Sequence, residues 1–391
     1  MTSSTLERAA GPDAPQTSRG TILFVARSLG HGGAERQLMT LATGLQARDV
    51  SVHVAQFYEQ GEFGRQLREA RVPLTSLGKH GRWDVLSFLA RLRRLVTDLR
   101  PAVVHSYLVE PNWMTTLLKP TLPRTAFVWG VRASDMEFAR YGRVAQFSFA
   151  MSRPLSRLAD LIIANSRAGA DFHVQHGYPA DRMRVIPNGI DTDYFAPVPD
   201  ARHVVRSELE LPLETPLVGV VGRLDPMKDH RTFLAAASTV HVRHPNVHFI
   251  CVGRGDSTTT SSLRALAGAL GLTAHVHWRD QWSHLPSLYS GLDLLVSSSA
   301  FGEGFPNVVA EAMACGTRCV VTDVGDSAFV VAETGYVVPR RDPAALAQAI
   351  SDAVATAAAA MPRTRIVSNF GIDALVQRTL DALAPFMGAR A

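Results

Sequence analysis

Two doubly wound parallel-sheet domains facing each other across a cleft, α/β throughout, are the fold class this sequence predicts. Three observations predict it. The chain has 391 residues, and at roughly 100–200 residues per domain that length fills two. Short apolar runs alternate with segments of helical periodicity, the pattern of a parallel sheet with helices on both faces. The alternation pauses at a proline-bearing stretch, with Pro197, Pro199 and Pro212, and then restarts.

Thr21–Ala26 (TILFVA) is apolar throughout, as a strand buried on both faces must be. The Gly-rich turn Leu29–Gly33 leads into a helical pattern over Ala34–Ala47. Val50–Phe57 and Val72–Leu77 are further strands. Asp84 is placed to cap a helix whose apolar Val85, Phe88, Leu89, Leu92, Leu95, Val96 and Leu99 fall on one face. Pro101 ends it, and strands follow at Val103–His105, Thr125–Val131 and Leu161–Ala164. After the pause come strands at Leu217–Val221, Val247–Gly253, Val276–Trp278, Leu292–Ser297, Arg318–Thr322 and Tyr336–Val338. Helices are expected between them at Asp229–Arg243, Ser262–Leu270, Pro306–Ala314 and Pro343–Ala358, and a last amphipathic one at Ile372–Phe386. The resulting division is a disordered tail over 1–19, a first Rossmann-like domain over 20–194, a linker over 195–212, a second Rossmann-like domain over 213–371, and a closing helical segment over 372–391.

Composition narrows the class. A chain 46% hydrophobic and 19% charged is not a disordered one. It has no run of about 18 apolar residues, so no membrane-spanning helix is expected. Residues 1–19 lack the features of a signal peptide, and three cysteines cannot build a disulfide framework, so the cytoplasm is the expected compartment. Residues 1–200 carry 24 basic against 18 acidic side chains, whereas residues 201–391 carry 16 against 17. The excess concentrates at Lys79, Arg82, Arg91, Arg93, Arg94 and Arg100, which read either as a solvated helix face or as a face for an anionic membrane surface.

In parallel sheets ligands bind beyond the carboxyl ends of the strands, so the residues there carry the chemistry. Ser298–Gly316 (SSAFGEGFPNVVAEAMACG) follows one such end. Pro306 suits the first turn of a helix. The free N–H groups at Phe305, Asn307 and Val308, positioned by Pro306, and the positive helix end would hold a diphosphate. Glu303 in the entering loop and Glu311 in the helix would accept hydrogen bonds from sugar or ribose hydroxyls. A solvent-facing helix with two incidental glutamates has the same spacing. In Gly219–Lys228 (GVVGRLDPMK) the two cations Arg223 and Lys228 lie past a strand end, where they could neutralise a departing diphosphate; two surface bases flanking a turn is the plainer reading. No Asp-x-Asp follows a strand to hold a metal, so no metal site is expected. Gly33, in LGHGGAER, lets backbone approach a ligand. Its spacing is not Gly-x-Gly-x-x-Gly, which disfavours a dinucleotide-dependent dehydrogenase. His105 and Arg132 each stand just past a first-domain strand, His105 readily structural and Arg132 within reach of Asp135.

Together these segments resemble the retaining nucleotide-sugar glycosyltransferases of family 4, which have the GT-B fold. Gly32–Arg36 (GGAER) is similar to the family's glycine loop, His105–Asn112 (HSYLVEPN) to its histidine-bearing strand end, and Ile186–Phe195 (IPNGIDTDYF) to the segment before its linker. Val221–His230 (VGRLDPMKDH) matches its phosphate site, and Phe301–Thr317 (FGEGFPNVVAEAMACGT) its pair of glutamates. The resemblance implies an acceptor-binding first domain and a donor-binding second one, with the last helix crossing back to the first. It assigns the donor diphosphate to Arg223 and Lys228, the transferred sugar to Glu303, the ribose to Glu311, and close backbone approach to Gly33 and Phe305–Val308. Where many members carry His-x-His this chain has His105-Ser106-Tyr107, and where many carry a sugar-contacting His it has Arg132. Asp280 stands where a Gly is common.

The implied activity is metal-independent, cofactor-free transfer of a sugar from a UDP- or GDP-sugar to a lipid-linked or glycan acceptor, with retention, in cell-surface polysaccharide or glycolipid synthesis. The implied place is the cytoplasm, peripherally at the inner face of the cytoplasmic membrane, with no nucleic-acid partner. A nucleotide-sugar epimerase or a non-catalytic nucleotide-sugar-binding protein of the same fold is the alternative.

Overall fold

The computed structural model describes residues 20–30, 32–59, 63–81, 84–132, 134, 142–356 and 362–388. The expected tail over 1–19, and with it Arg82 and Asp135, lies outside the described residues. Strands β1 (Ile22–Ala26), β2 (Val52–Gln56), β3 (Leu74–Ser76), β4 (Val103–Tyr107), β5 (Ala126–Val131), β6 (Leu161–Ala164) and β7 (Met183–Val185) form one sheet in the order β3-β2-β1-β4-β5-β6-β7. Strands β8 (Leu217–Val221), β9 (His248–Val252), β10 (Val276–Arg279), β11 (Leu294–Ser297), β12 (Cys319–Thr322) and β13 (Tyr336–Val338) form a second, ordered β10-β9-β8-β11-β12-β13. All pairings are parallel. Strand order therefore reverses at β1/β4 and at β8/β11, and the crevice at each reversal opens at the carboxyl ends.

The strands are where the apolar runs placed them, because both faces of each sheet are covered: β1, β4, β5 and β6 are buried along their whole length. Strand β7 was not expected. It has three residues at the sheet edge, two of them exposed, so no apolar run announces it. The helix over Leu86–Leu99 forms with Phe88, Leu92 and Val96 buried, but Asp84 does not cap it. The Asp84 carboxylate instead accepts from the His80 amide (2.8 Å), from Ser87 and from Arg91 (2.7 Å). The expected linker is also more structured than its prolines suggest. It contains the helix Ala201–Glu208, whose Val205 joins the second domain's core. Arg206, nearly inaccessible, donates to the carbonyls of Thr215 (2.8 Å) and Gly291 (2.7 Å) and pairs with Asp293 (2.6 Å).

The helix Ile372–Met387 leaves the second domain and packs on the helix Gly33–Gln46 of the first. Its Leu375, Val376 and Leu383 belong to the first domain's core. Leu383→Ala is therefore expected to destabilise the first domain, by about 2–5 kcal/mol in a urea titration, although it lies near the far end of the chain. A cost under about 0.5 kcal/mol would mean that this helix is not part of that core.

The expected basic face is thinner than the sequence suggested. Lys79 is buried, donating to the Gly81 carbonyl (2.6 Å) and the Tyr58 hydroxyl (3.3 Å). Arg91 is half-buried, tied to the carbonyls of Leu77 (2.7 Å) and Gly78 (3.0 Å). Arg93, Arg94 and Arg100 do face outward, Arg94 pairing with Asp98 at 3.8 Å. Anchoring the loop after β3 is what consumes Lys79 and Arg91.

Candidate active site

Two helix N-termini meet between the domains. The helix Asn307–Ala314 starts after β11, with Pro306 at its cap position and no side chain bonding its first amides. The helix Gly33–Gln46 starts after β1 with Gly32 at its cap position, and the carboxylate of Glu35, in its first turn, folds back against Gly32. The first amides of a helix have no intrahelical acceptor, and the positive end of its dipole favours an anion. Gly33 faces Asn307 so closely that a Cβ on it would lie 3.2 Å from Asn307 Nδ2. A side chain there would press on the end of the Asn307 side chain, which would have to give by a few tenths of an ångström. Val308 is partly exposed beside Asn307, whereas Pro306 is buried. Phe305, expected near the donor, offers only its backbone: its ring is buried in the second domain's core, 5.3 Å from that of Phe370.

Glu303 and Lys228, from the loops after β11 and β8, form an ion pair at the floor of this junction. Ser299 donates to the same carboxylate oxygen at 2.7 Å. Burial opposes ionisation of Glu303, but Lys228, Ser299 and the nearby Arg223 outweigh it and hold the carboxyl below its ordinary range. From the first domain, the Ser134 hydroxyl donates to the Glu303 carbonyl. Arg223 does not share this enclosure. Its side chain is 74% exposed and pairs with Asp225 at 2.9 Å, so it stands at the rim.

Glu311 is 2% exposed. One carboxylate oxygen takes an ion pair from Arg36 of the first domain, and the other accepts from the Tyr289 hydroxyl at 3.1 Å. Burial raises its pKa against the opposing pull of Arg36 and Tyr289. Neither Arg36 nor Tyr289 was singled out from the sequence. Arg36 lies in the quoted GGAER segment, one turn into a helix that opens on the cleft, which is the signal that could have found it.

His105 lies on β4, fully buried, and among the described residues neither ring nitrogen has a hydrogen-bond partner. Its ring is 5.3 Å from Phe24 and 4.9 Å from Tyr107. Burial, with Arg132 adding to it, pushes its pKa well below the usual histidine value, so the imidazole is neutral. Arg132 lies 4.3 Å over the Tyr107 ring and donates to Asn188 Oδ1 at 3.2 Å. Asn188, from the Pro-Asn-Gly segment, donates in turn to Asn307 Oδ1 at 2.9 Å. Arg132 is thus linked to the helix start in the other domain through a residue that motif spacing had not marked. The three cysteines are free and buried, and the described residues contain no group of three His, Cys, Asp or Glu arranged to hold a metal.

Paired parallel-sheet domains with two anion-favouring helix ends and two buried carboxylates at their junction define the GT-B class of transferases. Residues 215–356 match the family of Glycosyl transferases group 1, and residues 31–194 match Glycosyltransferase Family 4. The chain belongs to the family 4 glycosyltransferases. It is 32% identical over 204 residues to the D-inositol 3-phosphate glycosyltransferase of Corynebacterium glutamicum (strain R), a match covering 49% of this chain and 48% of that protein. It is 32% identical over 244 residues to the protein of the same name from Salinispora tropica, covering 57% and 50%. The chain thus spans about half the length of the curated relatives it matches. Among solved structures it resembles Anabaena Alr3699/HepE in complex with UDP, with a TM-score of 0.82, 24% identity, and 93% and 100% of the two chains covered. It also resembles WaaG, a glycosyltransferase involved in lipopolysaccharide biosynthesis, with a TM-score of 0.71, 16% identity, and 94% and 100% covered.

Proposed function

We propose that this protein transfers a sugar from a nucleoside-diphosphate donor to an acceptor hydroxyl, with retention of anomeric configuration and without a metal. The observation that carries the reading is the helix N-terminus at Asn307, without a side-chain cap among the described residues, facing Gly33 of the other domain beside the Lys228–Glu303 pair. The donor diphosphate sits at the amides of Asn307 and Val308, with Lys228 and, from the rim, Arg223 supplying positive charge. As the bond from the anomeric carbon to the phosphate oxygen breaks, negative charge grows on the diphosphate, where fixed dipoles and cations stabilise it most. The departing phosphate oxygen takes the acceptor hydroxyl's proton, and the acceptor oxygen forms the new bond on the same face. Glu303 accepts a hydrogen bond from the transferred sugar. Glu311 accepts from the ribose, exchanging its contact with Arg36. Arg132 faces the sugar end, in the place of the family's usual histidine, while His105, expected beside it, is fully buried in β4 and does not reach the sugar. The Anabaena neighbour has been solved with UDP and with UDP-glucose, so a UDP-sugar is the first donor to test, with GDP-sugars beside it.

A lipid-linked or glycan acceptor at the inner face of the cytoplasmic membrane remains the first acceptor reading, supported by the outward Arg93, Arg94 and Arg100. No helix among the described residues is long and apolar enough to cross a membrane. One observation favours a second acceptor reading. At the carboxyl ends of β1–β3, Arg27 and the buried Lys79 lie over the Tyr58 ring at 5.7 and 5.6 Å, and Lys79 bonds among the described residues to neutral oxygens. Arg27 is exposed and pairs with Glu110 at 3.5 Å, so a phosphorylated polyol, the kind of acceptor the relatives are named for, would exchange that contact, with the buried Lys79 adding charge from beneath.

Incubation of candidate donors with lipid-linked glycans or with inositol phosphates, followed by NMR of the product anomer, tests the reading. Transfer with retention, undiminished by EDTA, is expected. An inverted product, or activity lost to EDTA and restored by Mg²⁺, overturns the corresponding part. Conversion of the nucleotide sugar without acceptor points to an epimerase, and its return unchanged to a binding protein.

A further inference from the structure

Beside the donor cleft the domains touch at a second junction. The nine-residue helix Arg167–Gln175 follows β6 in the first domain. Ser166 caps it locally, its hydroxyl accepting from the Gly169 amide at 3.0 Å. The two amides before that have no acceptor within the helix. Both are taken by one carboxylate of the second domain: Arg167 N donates to Asp326 Oδ2 at 2.8 Å, and Ala168 N to Asp326 Oδ1 at 3.0 Å. Asp326 is 4% exposed, and its charge lies at the positive end of the helix. The Arg167 guanidinium also lies 4.1 Å over the ring of Phe329, on the short helix Ser327–Val331 that follows Asp326.

The same loop buttresses the segment that carries Glu303. The Asp326 amide donates to the Gly304 carbonyl at 3.0 Å. Gly325 has φ +62, and a Cβ there would stand 2.5 Å from the Glu303 carbonyl oxygen. Gly304 in turn lies against Asn165 of the first domain, where a Cβ would be 2.6 Å from Asn165 Oδ1. One turn therefore grips the first domain by its side chain and the Glu303–Gly304 backbone by its main chain.

We infer that Asp326 is a latch between the two domains and a positioning residue for Glu303, fixing the glutamate's loop while it holds the first domain's helix. This deepens the proposed transfer reaction and rests on it for the role of Glu303, whereas the latch itself can be read without any turnover.

The test is amide hydrogen exchange together with kinetics on Asp326→Ala and Asp326→Asn in the full chain. Loss of two charge-assisted hydrogen bonds predicts roughly tenfold or greater loss of protection at the Arg167 and Ala168 amides in Asp326→Ala. Gly169, capped by Ser166, keeps its protection. Asp326→Asn, which can accept only one of the two amides, falls between. Turnover drops about tenfold, while affinity for free UDP changes less than about threefold, because the groups that hold a diphosphate are not those that Asp326 touches. Unchanged protection at Arg167 and Ala168 overturns the latch, and unchanged turnover overturns the positioning role. A simple loss of fold would lower protection across the helix and UDP binding together; should the alanine variant behave so, the asparagine variant gives the same two readouts. Absence of sugar transfer by the unmodified protein counts against the function, and the exchange data still decide the latch.

Discussion

Lys228→Ala is expected to cut turnover by roughly 10²–10³-fold, the usual cost of removing one preorganised stabiliser of transition-state charge. Its ammonium is the cation held inside the cleft, paired with Glu303 and shielded from bulk water. Arg223, three-quarters exposed and already paired with Asp225, is screened by solvent, so Arg223→Ala should cost clearly less. From sequence alone the two cations had equal claims. Removing Lys228 also leaves the Glu303 carboxylate buried with Ser299 as its remaining side-chain donor among the described residues. Stripping one partner from a fully buried pair typically costs about 3–5 kcal/mol, and a smaller loss is expected in this partly open cleft. Lys228→Arg should restore stability before it restores turnover, because the bulkier fork alters where the charge sits. Turnover of Lys228→Ala within threefold of the unmodified protein, at saturating donor, would remove Lys228 from the phosphate site.

The sheets were legible because burial on both faces forces continuous apolar runs, and Ile22–Ala26 or Leu217–Val221 allow little else. Edge strand β7 escaped for the converse reason, since only Met183 of its three residues is buried. Glu303, Glu311, Lys228 and Gly33 were legible as positions, since strand ends and a helix start set them in the cleft. Their partners were not. Arg36 and Glu311 are 275 residues apart, and the Asp326 carboxylate is 159 residues from the Arg167 amide it binds. No local spacing encodes a pairing made only when two domains come together. The Arg132–Asn188–Asn307 chain is of the same kind, and the partner foreseen for Arg132, Asp135, lies outside the described residues.

Glu303→Ala is expected to lower turnover by about 10²-fold while raising the donor dissociation constant much less. A contact to the sugar beside the breaking bond tightens as charge develops, so its loss falls on the transition state more than on the bound donor. The pH dependence sharpens the assignment. Burial opposes ionisation of Glu303, and Lys228 first, then Ser299 and Arg223, more than offset it, so the folded pKa lies below that of the unfolded chain. The ionised carboxylate therefore adds stability that is fully present above the unfolded glutamate's pKa, about 4.3, and is lost as pH falls through the depressed folded value. Glu303→Gln should remove that share of the acid sensitivity, so the gap in unfolding free energy between it and the unmodified protein narrows on acidification. In Lys228→Ala the balance reverses. Burial then dominates, the folded pKa of Glu303 rises, and the acid limb of residual activity moves to higher pH. An acid limb that stays in place when Lys228 is removed would show that Glu303 is not the group whose ionisation the reaction needs.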